Sequence, residues 1–166
     1  GVVTVSAGEG FSFVLMKSGK LKSFGRNDYG QLGNATKSDS KEIHLTFKNN
    51  VKDVSCGNLH TIILLDDGSV WTMGENQRGQ LGNGKFDNSA QPVKIIDSGV
   101  IKIDAGYRNS YFLKKNGELW GMGANRDGQL GAVPSETMDG RSNIPLRIAS
   151  GVTDFSSGGW HQWKSE

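Results

Sequence analysis

Val51 to Gly82 reads VKDVSCGNLHTIILLDDGSVWTMGENQRGQLG. Val51 to Cys56 and His60 to Leu65 are short apolar and β-branched runs, the first ending at Gly57. Both read as strands, the second buried in the centre of a sheet. Asp67-Gly68 separates it from Val70-Trp71-Thr72-Met73. Asp-Gly between apolar runs signals a hairpin, and the expected form is a two-residue turn with both residues at positive φ. Gly74 to Asn83 is glycine-rich and has no helical period, so it reads as a loop. Gln91 to Ile96 reads as a fourth strand, with Gln91-Pro92 at its opening because proline cannot donate to a ladder.

The same pattern recurs on both sides. Gln31-Leu32-Gly33, Gln80-Leu81-Gly82 and Gln129-Leu130-Gly131 stand 49 residues apart. The step also joins Gly8, Gly57 and Gly106; Gly19, Gly68 and Gly117; Gly25, Gly74 and Gly123; and Asn27, Asn76 and Asn125. Gly30, Gly79 and Gly128 follow it, as do Val2, Val51 and Val100, and Leu15, Leu64 and Leu113. A further copy opens at Gly151, where Val152 and Gly158 match Val2 and Gly8. The chain therefore divides into repeats at 1–49, 50–98 and 99–150 and a partial repeat at 151–166. Four short antiparallel strands in about 50 residues make one blade of a β-propeller. Ala7, Cys56, Ala105 and Ser157 are the small residues expected where innermost strands crowd the axis.

Val51, Val54, Gly57, His60, Thr61, Leu64, Asp67, Gly68, Val70, Trp71, Gly74, Asn76, Gly79, Gln80, Leu81 and Gly82 together resemble the RCC1 repeat, of the regulator of chromosome condensation family. The resemblance runs over essentially the whole chain. It implies an all-β fold of RCC1-type blades, about three and part of a fourth, from a seven-bladed ring. Seven such blades need about 350 residues by the repeat length. The rest of the ring is then expected in cis, in a longer protein, or from neighbouring chains.

Composition narrows the function. Nineteen Lys and Arg against 17 Asp and Glu leave a net charge of +2, which argues against a nucleic-acid partner, whose usual footprint is a clustered basic surplus. No apolar run is long enough for a membrane-spanning helix. The single cysteine, Cys56, cannot form an internal disulfide, which fits a reducing, intracellular compartment but equally a cysteine-poor extracellular protein. The glycines number 24, about twice the usual share, and many fall on the repeated positions.

No motif in the chain carries catalysis or a cofactor. Gly79 to Lys85 satisfies G-x-x-x-x-G-K, but Phe86 stands where a P-loop needs Ser or Thr, and no helix follows. His60 and His161 share one repeat position, filled by Phe11 and Asn109 elsewhere, and read as buried structural histidines. Cys56 and His60 lack the spacing of a zinc site, so no metal is expected. Trp71 and Trp120 share a position in the third strand and read as core residues. Asn34-Ala35-Thr36 is a glycosylation sequon, of consequence only in a secreted protein.

If the strands of a blade are lettered A to D, antiparallel order puts the A–B and C–D loops on one face. The frame of these loops repeats but their tips vary: Asn58-Leu59, Tyr107-Arg108 and Gly159-Trp160 in the A–B loops, and Tyr29, Arg78 and Arg126 in the C–D loops. A constant frame with varied tips is how repeat proteins present a binding surface. Tyr, Trp and Arg are the types enriched in interface hot spots. The expected function is a non-catalytic scaffold that binds a protein partner through Asn58, Leu59, Tyr107, Arg108, Trp160, Tyr29, Arg78 and Arg126. The resemblance also implies an alternative, guanine-nucleotide exchange on a small GTPase, although no protruding hairpin stands out in these copies. A purely architectural subunit of a large complex is the third reading.

Overall fold

In a computed structural model of the chain, residues 1–47, 49–131, 137 and 139–158 are described. They form twelve strands and, among the described residues, no helix. β1 (Val2–Ala7), β2 (Phe11–Met16), β3 (Leu21–Gly25) and β4 (Ser40–Phe47) make the first sheet. β5 (Val51–Cys56), β6 (His60–Leu65), β7 (Val70–Gly74) and β8 (Ser89–Ile96) make the second. β9 (Val100–Ala105), β10 (Asn109–Lys114), β11 (Leu119–Ala124) and β12 (Arg141–Ala149) make the third. Each sheet is an antiparallel meander whose strands pair in chain order, the form of a propeller blade.

Successive side chains of a strand point to opposite faces, so a sheet packed on both sides must be apolar on both. β6 meets this demand: Ile62, Ile63 and Leu64 are all fully buried. Ile63 joins Val51, Val54 and Met73 against Phe11, Phe13, Leu15, Leu21 and Leu32 of the first blade. Ile62, Leu64 and Val70 face the other way, onto Val100, Ile103, Phe112 and Met122 of the third. Burying one such side chain contributes about 1.5–3 kcal/mol, so each seam adds a large favourable term to the stability of the arc.

Polar links repeat along the seams. The Thr61 hydroxyl donates to the Gln31 carbonyl at 3.1 Å, and the Ser110 hydroxyl donates to the Gln80 carbonyl at 2.8 Å. Near the inner strands the Cys56 amide donates to Ser6 Oγ, the Ala105 amide to Ser55 Oγ and the Ser157 amide to an Asp104 carboxylate oxygen. Residues 6, 55 and 104 are the same repeat position, so each inner strand is tied to the blade before it by one side-chain oxygen.

Two expectations need correction. The B–C turns are not two-residue turns with both residues at positive φ. Gly68 alone has positive φ (79°), its amide bonds the Leu65 carbonyl, and the Leu65 amide bonds the Ser69 carbonyl. The same bonds recur around Gly19 and Gly117. This is a type I turn closed by a left-handed glycine, in which Asp67 keeps an ordinary φ and its carboxylate accepts from the Ser69 amide. The fourth strand of the second blade also begins earlier, at Ser89, so Pro92 lies within it. It is tolerated there because β8 is an edge strand of its sheet and its register slips between Thr72 and Gly74.

Residues 151–158 lie where a fourth A strand belongs. The Val152 amide donates to the Gly117 carbonyl, as the Val51 and Val100 amides donate to Gly19 and Gly68. Phe155 rests beside Tyr111 with ring centroids 6.5 Å apart. The opposite flank is open: Val2 and Val5, whose counterparts Val51 and Val54 are buried, are 52% and 60% exposed.

Candidate interaction face

The site begins with one asparagine in each blade. Asn76 is fully buried and organises the whole C–D loop. Its Oδ1 accepts from the Leu81 amide, and its Nδ2 donates to Asn83 Oδ1 and to the carbonyls of Lys85 and Asp87. Asn27 makes the matching bonds to Leu32, Asn34, Thr36 and Ser38. Asn125 accepts from the Leu130 amide in the third blade. The glutamine that follows pins the tip: Gln31, Gln80 and Gln129 accept from the amides of Tyr29, Arg78 and Asp127. A loop without regular structure is thus held in one conformation by buried hydrogen bonds from its asparagine and glutamine.

The C–D loop is then fastened to the A–B loop of its own blade. The amides of Arg26, Glu75 and Ala124 donate to the carbonyls of Gly10, Leu59 and Arg108 at 2.8, 2.8 and 3.0 Å. A–B loops are also linked from blade to blade, Glu9 to Asn58 at 2.9 Å and Asn58 to Tyr107 at 3.1 Å. Both loop sets therefore lie together on one face.

On that face Tyr29, Asn58, Tyr107, Arg108 and Arg78 are half-buried and Arg126 is exposed. Leu59 is only 6% exposed, so its side chain packs inward and does not present itself to solvent. Trp160 and His161 lie outside the described residues. In the first blade the charge is compensated locally: Arg26 pairs with Asp28 at 2.7 Å and with Glu9 at 3.1 Å. The Arg26 hydrogen bond holds the Asp28 carboxyl below its ordinary value.

The remaining candidates belong to the frame. Gly8 and Gly57 end their A strands against the ring of Phe11 and the imidazole of His60, and Gly106 holds the same place in β9's blade. His60 is fully buried, with Nε2 directed at the Asn109 carbonyl and Ser110 Oγ of the next blade. Trp71 meets Phe47 edge-on at 6.0 Å and donates to Ser69 Oγ. Trp120 stacks on Phe112 at 6.3 Å, with Lys114 Nζ 4.6 Å from its ring centre. Burial pushes the Cys56 thiol up to about 12, which keeps it a thiol at neutral pH. The G-x-x-x-x-G-K stretch is part of the Asn76-organised loop and packs on the third blade, where the Gly84 amide bonds the Asn143 carbonyl at 2.8 Å. Among the described residues no three His, Cys, Asp or Glu side chains gather to hold a metal ion, and no helix is long and apolar enough to cross a membrane.

Three stacked four-stranded meanders, joined by repeated inter-blade bonds and carrying two loop sets on one face, define an arc of a β-propeller built from RCC1-type blades. Models of the regulator of chromosome condensation (RCC1) repeat match at residues 2–31, 51–80 and 100–129, and again at 18–64, 67–113 and 116–162. The chain belongs to the RCC1 repeat family. Among solved structures it is similar to human WBSCR16, at 28% identity and a TM-score of 0.75, covering 89% of this chain and 39% of that one. It is also similar to Prp20p from Saccharomyces cerevisiae, at 22% identity and a TM-score of 0.77, covering 95% of this chain and 42% of that one. Prp20p is described with its binding properties to Gsp1p and histones, and a further structure shows yeast RCC1 (Prp20) bound to Kap60. The chain spans about two fifths of the length of these propellers, 39% and 42%. No curated protein sequence matches it significantly.

Proposed function

We propose that this chain is part of a non-catalytic RCC1-like propeller scaffold that binds a protein partner through its A–B and C–D loop face. The observation that carries the reading is the way each loop tip is held. In each blade a buried asparagine (Asn27, Asn76 or Asn125) organises the C–D loop and one backbone bond ties it to the A–B loop, while the residues at the tips differ. A fixed frame lowers the entropy lost on binding, and varied tips supply specificity. One solved protein of similar fold, Prp20p, described with its binding properties to Gsp1p and histones and seen with Kap60, supports the same use of this fold.

The open flank at Val2 and Val5 supports a second part of the reading, that another blade covers this side in the working protein. Their repeat counterparts Val51 and Val54 are buried by such a blade.

The test is capture of partners by the full protein, with cross-links mapped to residues. Cross-links are expected at the loop face, and Asn58→Ala and Tyr107→Ala should weaken capture about tenfold or more. Lys20→Ala and Lys115→Ala, on the B–C turns, should leave it unchanged. Capture that follows the turn lysines and ignores Asn58 and Tyr107 would overturn the reading.

A further inference from the structure

Charge on the loop face is not evenly compensated. In the first blade Arg26 has Asp28 and Glu9 for partners. Four arginines stand on the loops around the junction of the second and third blades: Arg78 on one C–D loop, Arg108 on the next A–B loop, Arg126 on the next C–D loop, and Arg141 at the start of β12.

Their placement is set by the backbone. The Arg108 carbonyl bonds the Ala124 amide, two residues before Arg126. The Gly140 carbonyl bonds the Asn125 amide, which brings Arg141 up beside Arg126. Arg141 reaches back across the seam to donate to the Gln77 carbonyl at 2.6 Å, with its guanidinium 4.0 Å from the ring centre of Phe86. Arg108 lies 5.5 Å from the ring centre of Tyr107. Burial together with Arg126, Arg108 and Arg141 holds the Arg78 guanidinium below its ordinary value.

Among the described residues, one carboxylate forms an ion pair with this group. Glu75 is 2% exposed, stands 3.9 Å from Arg108 Nε, and already accepts from Gln80 Nε2 at 3.1 Å. The neighbouring Asp127 carboxylate is taken up by Gln129 Nε2 at 3.3 Å. Arg78 and Arg126 make no ion pair among the described residues. Among the described residues, the buried Nε atoms of Arg108 and Arg141 have no hydrogen-bond partner. Buried donors of this kind are normally satisfied, and planar guanidinium groups match carboxylates two bonds at a time.

We propose that the junction of the second and third blades on the loop face binds an acidic protein segment, whose carboxylates are taken by Arg78, Arg108, Arg126 and Arg141 and whose apolar side chains rest against Tyr107 and Phe86. The proposal rests on the loop-face reading above and names its partner's chemistry. A peptide fits better than a nucleic acid because the positive charge is confined to one junction. The chain as a whole carries only +2, whereas a phosphate backbone is tracked by an extended basic stripe.

The experiment uses the full protein and three labelled probes in fluorescence anisotropy: a short Asp/Glu-rich peptide with one aromatic residue, its Asn/Gln counterpart, and a single-stranded oligothymidine. The acidic peptide is expected to bind, more weakly as salt rises, and the neutral peptide not to bind. Exposed Arg126→Glu and half-buried Arg78→Gln should each weaken binding by about tenfold, while Lys20→Glu on the opposite turns changes it less than about twofold. Equal binding by wild type and the arginine variants overturns the proposal. So does tighter binding of the oligothymidine that is lost in the same variants, which would make the junction a nucleic-acid site. If natural partners are captured through Asn58 and Tyr107 but the acidic peptide ignores the arginines, this proposal fails and the loop-face reading stands. If partner capture ignores Asn58 and Tyr107, the loop-face reading fails whatever the peptide does.

Discussion

His60 Nε2 lies 3.2 Å from the Asn109 carbonyl and 3.0 Å from Ser110 Oγ, across the seam between two sheets. A carbonyl only accepts, so Nε2 carries a proton, and Nδ1 is buried without a partner among the described residues, which disfavours a second one. Burial pushes this imidazole down to about 4 from its ordinary 6.5. The unfolded chain therefore takes up a proton that the folded one refuses between those values. Stability is fully present above about pH 6.5 and falls as pH drops towards 4, by up to about 3 kcal/mol. Urea midpoints across that range should show the loss, and His60→Asn, the residue of the third blade, should flatten the profile.

Asn76 ties together a loop that has no strand or helix of its own. Asn76→Ala removes the acceptor of the Leu81 amide and the donor to Asn83, Lys85 and Asp87. Several buried groups lose their partner at once, so a cost of about 3 kcal/mol is expected in chemical denaturation. Hydrogen exchange at the Leu81 amide should accelerate far more than at the Ile62 amide in β6.

Gly79 and Gly84 both have positive φ, 84° and 76°, but only one is crowded. A Cβ on Gly79 would come within 2.3 Å of the Ser142 carbonyl, whereas one on Gly84 would meet nothing within 4 Å. Gly84→Ala should cost about 1 kcal/mol, the backbone penalty alone. Gly79→Ala should cost more than about 3 kcal/mol, because the third blade must move away. Thermal midpoints of the two variants separate these cases.

Val54 and Val5 are the same repeat position, 4% and 60% exposed. Val54→Ala should cost about 1–3 kcal/mol and Val5→Ala less than about 0.5 kcal/mol in this chain. In a longer protein where another blade covers the first, the two costs should converge. Paired denaturation of the short and long forms checks this.

The repeat was legible because glycine, asparagine and the Gln-Leu-Gly triplet are required by backbone geometry, and that requirement returns in every blade. His60 to Leu65 was readable as a buried central strand, and β6 has those bounds. The turn type was not, because Asp-Gly suits both a two-residue turn and a type I turn with a left-handed glycine. The oxygen at positions 6, 55 and 104 left a visible signal, a polar residue beside each small inner one. Its partner, the next blade's amide, is a tertiary neighbour.

Local sequence thus determined the strands, their order and the family, since these follow from side-chain alternation and turn residues within one repeat. Only the tertiary structure decided how the described tips are placed. Leu59 turned inward, Arg26 found Asp28 and Glu9, and Arg141 reached across a seam to the Gln77 carbonyl beside Arg78. Arg78 and Arg141 are far apart along the chain, and their shared charge arises only where sheet packing brings two loops together.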